Sequence, residues 1–225
     1  MKFASKSLIV GFIIAAYCSG ANAGIVIGGT RIIFEGNKKE ATISVSNPDE
    51  IPYLVQSWIE PAAGSQEAAP FIVTPPLFRL NKGQQNMLRV VRKGNLPEDK
   101  ESLYWMDVKG IPSAVRHENT LQIAVKSRFK LIYRPAALKD SSAEEQAEKL
   151  VWQKSGNQVR ITNPTPYVIN FNQIVVDGKA LEDVTYVAPA SSAVFKLPES
   201  VSGGAVTYKL INDYGGVGET HKAKI

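Results

Sequence analysis

Apolar and polar residues alternate along this chain in short bursts, and turn signals separate the bursts. Glu40-Ala41-Thr42-Ile43-Ser44-Val45-Ser46 alternates with period two and stops at Asn47-Pro48-Asp49, as a half-buried strand ended by a turn does. Residues 31–34 run into the polar turn Glu35-Gly36-Asn37, 53–59 are β-branched and aromatic, 71–73 run into Thr74-Pro75-Pro76, 86–91 follow the turn Asn81-Lys82-Gly83, and 103–108 are aromatic-rich. Seven or so such strands, with a turn about every 8–12 residues, predict an immunoglobulin-like sandwich of roughly 100 residues.

The longest burst spans 119–135. Leu121, Ile123 and Val125 alternate with Gln122, Ala124 and Lys126, the period blurs at Ser127 and Arg128, and Phe129 and Leu131 restore it. Such a run predicts a strand longer than the usual five or six residues, with three aliphatic side chains on one face. Two readings stand side by side. It is a core strand of the sandwich, or it is a strand partly open to solvent that lends its apolar row to another polypeptide.

Beyond Tyr133 the character changes. Residues 139–149, with the acidic and helix-leaning stretch 143–148, read as a linker. Residues 150–225 then repeat the strand vocabulary at 158–163, 167–176, 193–197 and 206–211, with Asp177-Gly178 as a tight turn. The expected fold class is therefore all-β, with one sandwich over 24–138 and a smaller one over 150–225.

Composition places this fold outside the cytoplasm. Lys2 and Lys6, an apolar stretch over 8–17 and Ala21-Asn22-Ala23 read as a secretory leader over 1–23, too short in its apolar part to span a bilayer. The single cysteine, Cys18, lies in that leader, so residues 24–225 hold no disulfide and must be stabilised by ordinary burial. They carry 24 basic and 21 acidic residues, a net +3, with no run of like charge. No nucleic-acid partner is expected on that basis, and no membrane insertion, since no later apolar stretch approaches the necessary ~18 residues. A bacterial periplasm is the expected location.

Catalytic signals are missing. His117 and His221 lie in polar surroundings without a partner at metal-ligand spacing. There is no cysteine nucleophile, no G-x-S-x-G and no H-E-x-x-H. The carboxylates are scattered and suggest no glycosidase pair. Asp213-Tyr214-Gly215-Gly216 reads as a turn. No catalytic residue, metal or cofactor is expected, and the residues describe a binding protein.

Seven segments in order carry a resemblance to a known family. They are Thr30-Arg31 with Ile32-Ile33-Phe34; Pro52-Tyr53-Leu54 with Gln56-Ser57-Trp58; Thr74-Pro75-Pro76 with Arg79; Glu101-Ser102-Leu103-Tyr104-Trp105 with Ile111-Pro112; the run from Leu121 to Pro135; Asn163-Pro164-Thr165-Pro166-Tyr167; and Ile211-Asn212-Asp213-Tyr214-Gly215-Gly216. Together they resemble the periplasmic pilus-assembly chaperones, the PapD-like family of the chaperone–usher pathway. The short segment between Val108 and Asn119 resembles its short-loop subclass.

That resemblance implies two immunoglobulin-like domains in a boomerang, with a cleft between them. It implies fimbrial subunits as partners, each lacking a strand that the chaperone supplies from residues 119–131, and an outer-membrane usher that receives them. Asn119, Leu121, Ile123 and Val125 would be the donor residues. Burying each aliphatic chain is worth ~1.5–3 kcal/mol. Arg31 and Lys130 would bind the subunit's C-terminal carboxylate and set the register, which a one-residue slip would otherwise invert. Glu101, Arg134 and Asp213 would hold the two domains at a fixed angle, and Leu54, Thr74, Pro75, Arg89 and Ile111 would present one face to the usher. An exposed strand is a self-association hazard, which leaves open a self-capping dimer of the free chain.

Two other classes compete with this reading. A structural fimbrial subunit would need an alternating apolar donor segment at its start, and residues 24–29 are short and glycine-rich. A secreted sandwich-fold lectin or enzyme would need an aromatic platform beside paired carboxylates, whereas Trp58, Trp105 and Trp152 sit in strand-like core patterns.

Overall fold

The structure is a computed structural model of the chain and describes residues 24–62, 67–113, 121–199 and 201–225. The expected leader, His117 and Asn119 lie outside these residues, as does most of the loop on which the short-loop reading rests.

Among the described residues nine strands build the first sandwich: β1 (Val26–Ile27), β2 (Arg31–Glu35), β3 (Glu40–Ser46), β4 (Tyr53–Pro61), β5 (Phe71–Thr74), β6 (Leu77–Leu80), β7 (Gln85–Arg92), β8 (Ser102–Pro112) and β9 (Val125–Arg134). One sheet runs β1-β3-β7-β5 and the other β2-β9-β8-β4-β6. The period-two pattern is realised directly: Ile43, Val45, Leu88 and Val90 point inward from one sheet, and Tyr53, Val55, Met106 and Val108 from the other. Phe34, Phe71 and Tyr133 close the core, with Phe34 and Phe71 ring centroids 5.3 Å apart.

Eight strands among the described residues build the second: β10 (Val151–Ser155), β11 (Gln158–Asn163), β12 (Ile169–Val176), β13 (Lys179–Ala180), β14 (Tyr186–Val187), β15 (Ser191–Lys196), β16 (Ala205–Ile211) and β17 (Val217–Lys224). They form a sheet β10-β11-β15 against a sheet β13-β12-β16-β17, with β14 also paired to β12. The Asp177-Gly178 turn is as expected. Both residues have positive φ, 48° and 78°, and they join Val176 to Lys179 as a two-residue hairpin whose twist matches its strands.

Four expectations need correction. The long strand begins at Val125, paired with Gly110, and extends to Arg134 rather than spanning 119–131. Beyond Gly110, Ile111 and Pro112 of β8 have strand partners only in β4 among the described residues, and Pro112 has no N–H to offer. Alternation alone does not make a strand when the main chain lacks a neighbour. Residues 121–124 are held instead by the Gln122 side chain, which donates to the Pro112 carbonyl.

Next, the acidic stretch before residue 150 forms no α-helix. A short 3-10 turn at Ala136–Leu138 precedes it and another at Ala147–Lys149 ends it, and it packs on the second sandwich. Ala147 is fully buried there and its carbonyl accepts the Tyr208 hydroxyl at 2.9 Å. His221 is not simply in polar surroundings, because it stacks on Tyr208 at 5.2 Å and bonds Glu144 at 2.7 Å. Finally, the three tryptophans are half-buried and do not belong to the buried core. Trp105 faces the second sandwich, 6.4 Å from Tyr186.

The two sandwiches meet through a small apolar cluster of Leu103, Ile132 and Val168, with Ile33 and Tyr186 against it.

Candidate functional site

β9 changes its company halfway along. From Lys130 to Arg134 it lies between two neighbours, parallel β2 on one side and antiparallel β8 on the other. From Val125 to Phe129 only β8 accompanies it, so among the described residues its other edge carries unpaired main-chain donors and acceptors. Such an edge is a template for another strand. Just upstream stand the most exposed large apolar side chains near it: Leu121 is 84 % exposed, Ile123 66 % and Val125 57 %. Beneath Ile123 and Val125 lies a largely apolar cavity of about 330 Å³, walled by Gly24, Ile25, Tyr53, Gly110 and Ser127. An open edge with an apolar row beside it offers an extended polypeptide main-chain partners and apolar contacts.

Arg31 and Lys130 mark the point where the edge opens. They are register partners on β2 and β9, so their side chains leave the sheet on the same face, and that face looks toward the second sandwich. Arg31 Nη1 donates to the Ile211 carbonyl at 3.2 Å, while its Nε is buried without a hydrogen-bond partner. Lys130 Nζ donates to Asn170 Oδ1 at 2.6 Å and lies 4.8 Å from the Tyr186 ring centroid and 5.9 Å from that of Trp105. Among the described residues neither cation has an ion-pair partner within 4 Å.

The electrostatics follow from this geometry. Burial pulls the Arg31 guanidinium below its ordinary value, opposed by the charge of Asp213. Burial, and then the charge of Arg31, lower Lys130 to about 8. Two half-buried positive charges side by side, one with an unused N–H, can accept an anion and gain from it.

Four residues along the strand the picture reverses. Arg134 Nε donates to Glu101 Oε1 at 2.6 Å, and its Nη1 and Nη2 donate to the two oxygens of Asp213 at 2.5 and 2.8 Å. Glu101 also accepts the Val168 N–H at 2.7 Å, and its own N–H donates to the Pro166 carbonyl at 2.8 Å. Burial raises the Glu101 carboxyl, opposed chiefly by Arg134. Burial works against the Arg134 charge as well, but the Asp213 and Glu101 carboxylates outweigh it and hold the pKa above the usual arginine value. Asp213 is placed by a tight turn in which Asn212 Oδ1 accepts the Tyr214 and Gly216 N–H groups. Gly215 in that turn has φ +85°, and a Cβ there would collide with the Thr30 hydroxyl. The turn therefore packs directly on the residue before Arg31.

The residues expected to form one face do not all share it. Leu54 and Ile111 are cross-strand partners on the outside of the five-stranded sheet. Thr74 and Arg89 are partners on the outside of the opposite sheet, where Arg89 is bound to Glu40. Pro75 lies between β5 and β6, and its carbonyl accepts the Ser57 hydroxyl at 3.1 Å. The structure thus brings these five together as two pairs and a connecting proline.

The sequence reading missed Asn170, Tyr186 and Trp105 beside Lys130. It also missed Arg128, which binds the fully buried Asp107 through two bonds of 2.8 and 2.9 Å and reaches Glu60 as well. Trp105 stood in a segment already singled out. Asn170 gave no signal, because β12 contains a register shift between Phe171 and Gln173 that breaks the alternation around it.

An all-β protein whose first domain ends in a half-paired strand beside two unneutralised cations has the geometry to bind another chain by strand addition. The description "Pili and flagellar-assembly chaperone, PapD N-terminal domain" matches residues 24–139, and "Pili assembly chaperone PapD, C-terminal domain" matches residues 145–222. The chain belongs to this family of pilus-assembly chaperones. It is 42 % identical over 213 residues to the chaperone protein FimC of Escherichia coli O6:H1, covering 92 % of this chain and 87 % of the relative. It is also 42 % identical over 202 residues to the probable fimbrial chaperone LpfB of Escherichia coli O157:H7, covering 87 % and 86 %. Among solved structures it resembles a chain of the Salmonella enterica SafA pilin–SafB chaperone complex, with a TM-score of 0.83, 35 % identity and coverage of 92 % and 99 %. The Escherichia coli chaperone DraB gives a TM-score of 0.80 at 40 % identity, with coverage of 89 % and 96 %.

Proposed function

We propose that this chaperone caps incomplete pilin subunits by adding the open edge of β9 to them, with Leu121, Ile123 and Val125 filling an apolar groove and Asn119 at the outer end. The observation that carries the reading is the coincidence at Lys130: the strand loses its second neighbour at the residue where two unneutralised cations stand side by side. Arg31 and Lys130 bind the subunit's terminal carboxylate, which fixes register at the start of the open edge. The chemistry is binding alone and needs no catalytic group, metal or cofactor.

The chain acts in the periplasm after its leader is removed behind Ala23. The domains divide at 139–149, and the Glu101–Arg134–Asp213 network holds them together across the cleft. Leu54 with Ile111 on one sheet, and Thr74, Pro75 and Arg89 at the other, offer the usher two contact areas. Without a subunit the apolar row is open to a second copy of the chain.

Co-expression of the exported chain with a pilin subunit from the same bacterium tests this, with wild type beside Lys130→Ala. A soluble one-to-one complex is expected with wild type and its loss with Lys130→Ala. Equal recovery of both would remove the anchor role from Lys130, and no complex with wild type would overturn the capping reading.

A further inference from the structure

Lys130 belongs to the first domain, yet most of what holds its ammonium comes from the second. Asn170 of β12 accepts its proton at 2.6 Å, and Tyr186 of β14, the register partner of Asn170, lays its ring 4.8 Å from Nζ. Trp105 closes the other side from β8 and meets Tyr186 edge to face, 6.4 Å away at 71°. The Asn170 amide cannot easily turn over, because its Nδ2 donates to the Val168 carbonyl at 3.3 Å and so leaves the oxygen facing Lys130. Asn170 is almost fully buried. Every one of these partners is neutral. A carboxylate in place of Asn170 would hold the lysine just as firmly but would neutralise it.

We propose that Asn170 and Tyr186 are positioning residues for the anchor: they fix the Lys130 ammonium by a neutral acceptor and a π face, so that its charge stays available to an incoming carboxylate. The proposal rests on the reading of Lys130 as the anchor. It also makes capture depend on domain geometry, because a shift of the second sandwich would release the lysine from its cage. The charged and titratable groups around the site are Arg31 from β2, Tyr186 itself from β14, and Asp213, which acts on Arg31 from the turn after β16. Lys130, lowered to about 8 by burial and then by the charge of Arg31, is the group whose charge changes near neutral pH.

The test uses the full mature chain and a fluorescent ten-residue peptide of alternating valine and serine, with a free C-terminal carboxylate or a C-terminal amide. Wild type should prefer the carboxylate form by about tenfold at pH 7, and the preference should fade as pH rises through about 8. Asn170→Asp should lose the preference at every pH while keeping its fold by circular dichroism. Tyr186→Phe should keep both preference and pH midpoint, and Tyr186→Ala should weaken the preference. No carboxylate preference in wild type would remove the anchor reading itself. A wild-type preference that survives unchanged in Asn170→Asp would leave the anchor standing and overturn the positioning role. A purely structural Asn170 would show as a lowered melting temperature with both preference and pH midpoint unchanged.

Discussion

Lys130 and Arg134 stand four residues apart on one strand, and both turn toward the second domain, but they are equipped for opposite tasks. Arg134 directs Nε, Nη1 and Nη2 at the carboxylates of Glu101 and Asp213, so its charge is already paired. Lys130 is held by an amide and two aromatic rings and remains unneutralised. Under the proposed function the paired cation fastens the domains, and the one with neutral partners receives a carboxylate from outside. The backbone divides in step with the side chains. Around Arg134 the strand is paired on both sides, and before Lys130 it is paired on one.

The contrast can be broken at the structural end. Arg134→Ala leaves Glu101 buried with its charge uncompensated and should cost about 3–5 kcal/mol in urea unfolding, the largest loss expected here. A second, smaller break is Gly215→Ala. Its φ of +85° and the collision with Thr30 should cost about 1–3 kcal/mol, again read by urea unfolding. This substitution should also weaken subunit capture, because the turn carries Asp213 and packs beside Arg31.

The receptor end is sharpened by pH, with the smallest effect. Lys130 titrates near 8 when folded, against an ordinary 10.5, so above about pH 8 the unfolded chain holds a proton that the folded chain has released. Stability should therefore rise with pH in that window. Allowing for solvent screening, the gain between pH 8 and 9 should stay below about 1 kcal/mol, and it should vanish in Lys130→Met. Carboxylate binding should fall over the same range. A functional anchor thus loses binding while the fold gains stability, a pair of opposite trends that a purely structural lysine would not produce.

Much of this arrangement was legible in the sequence, and the exceptions have physical causes. Strands such as 40–46 were readable because one face meets the core and the other meets water, which writes period two into the residues. The Asp177-Gly178 hairpin was readable because few residues tolerate two successive positive φ angles. The start of β9 was not, because alternation reports the side chains a strand would present and not whether a neighbouring backbone is there to pair with them. The partners of Lys130 were hidden for a different reason. Asn170 lies forty residues away in sequence, in a strand whose bulge erases its own pattern. The expected single face of Leu54, Thr74, Pro75, Arg89 and Ile111 split because sequence order does not say which sheet of a sandwich a strand joins.

The central claim is that the unpaired edge of β9 receives a strand. Amide hydrogen exchange over residues 121–129, in the free chaperone and with a pilin subunit bound, tests it most directly. Binding should slow the amides between Val125 and Phe129 that face away from β8, and those of 121–124 upstream, while Lys130 to Arg134 stays slow in both states. Unchanged exchange at 121–129 in a verified complex would place the subunit elsewhere and contradict the account.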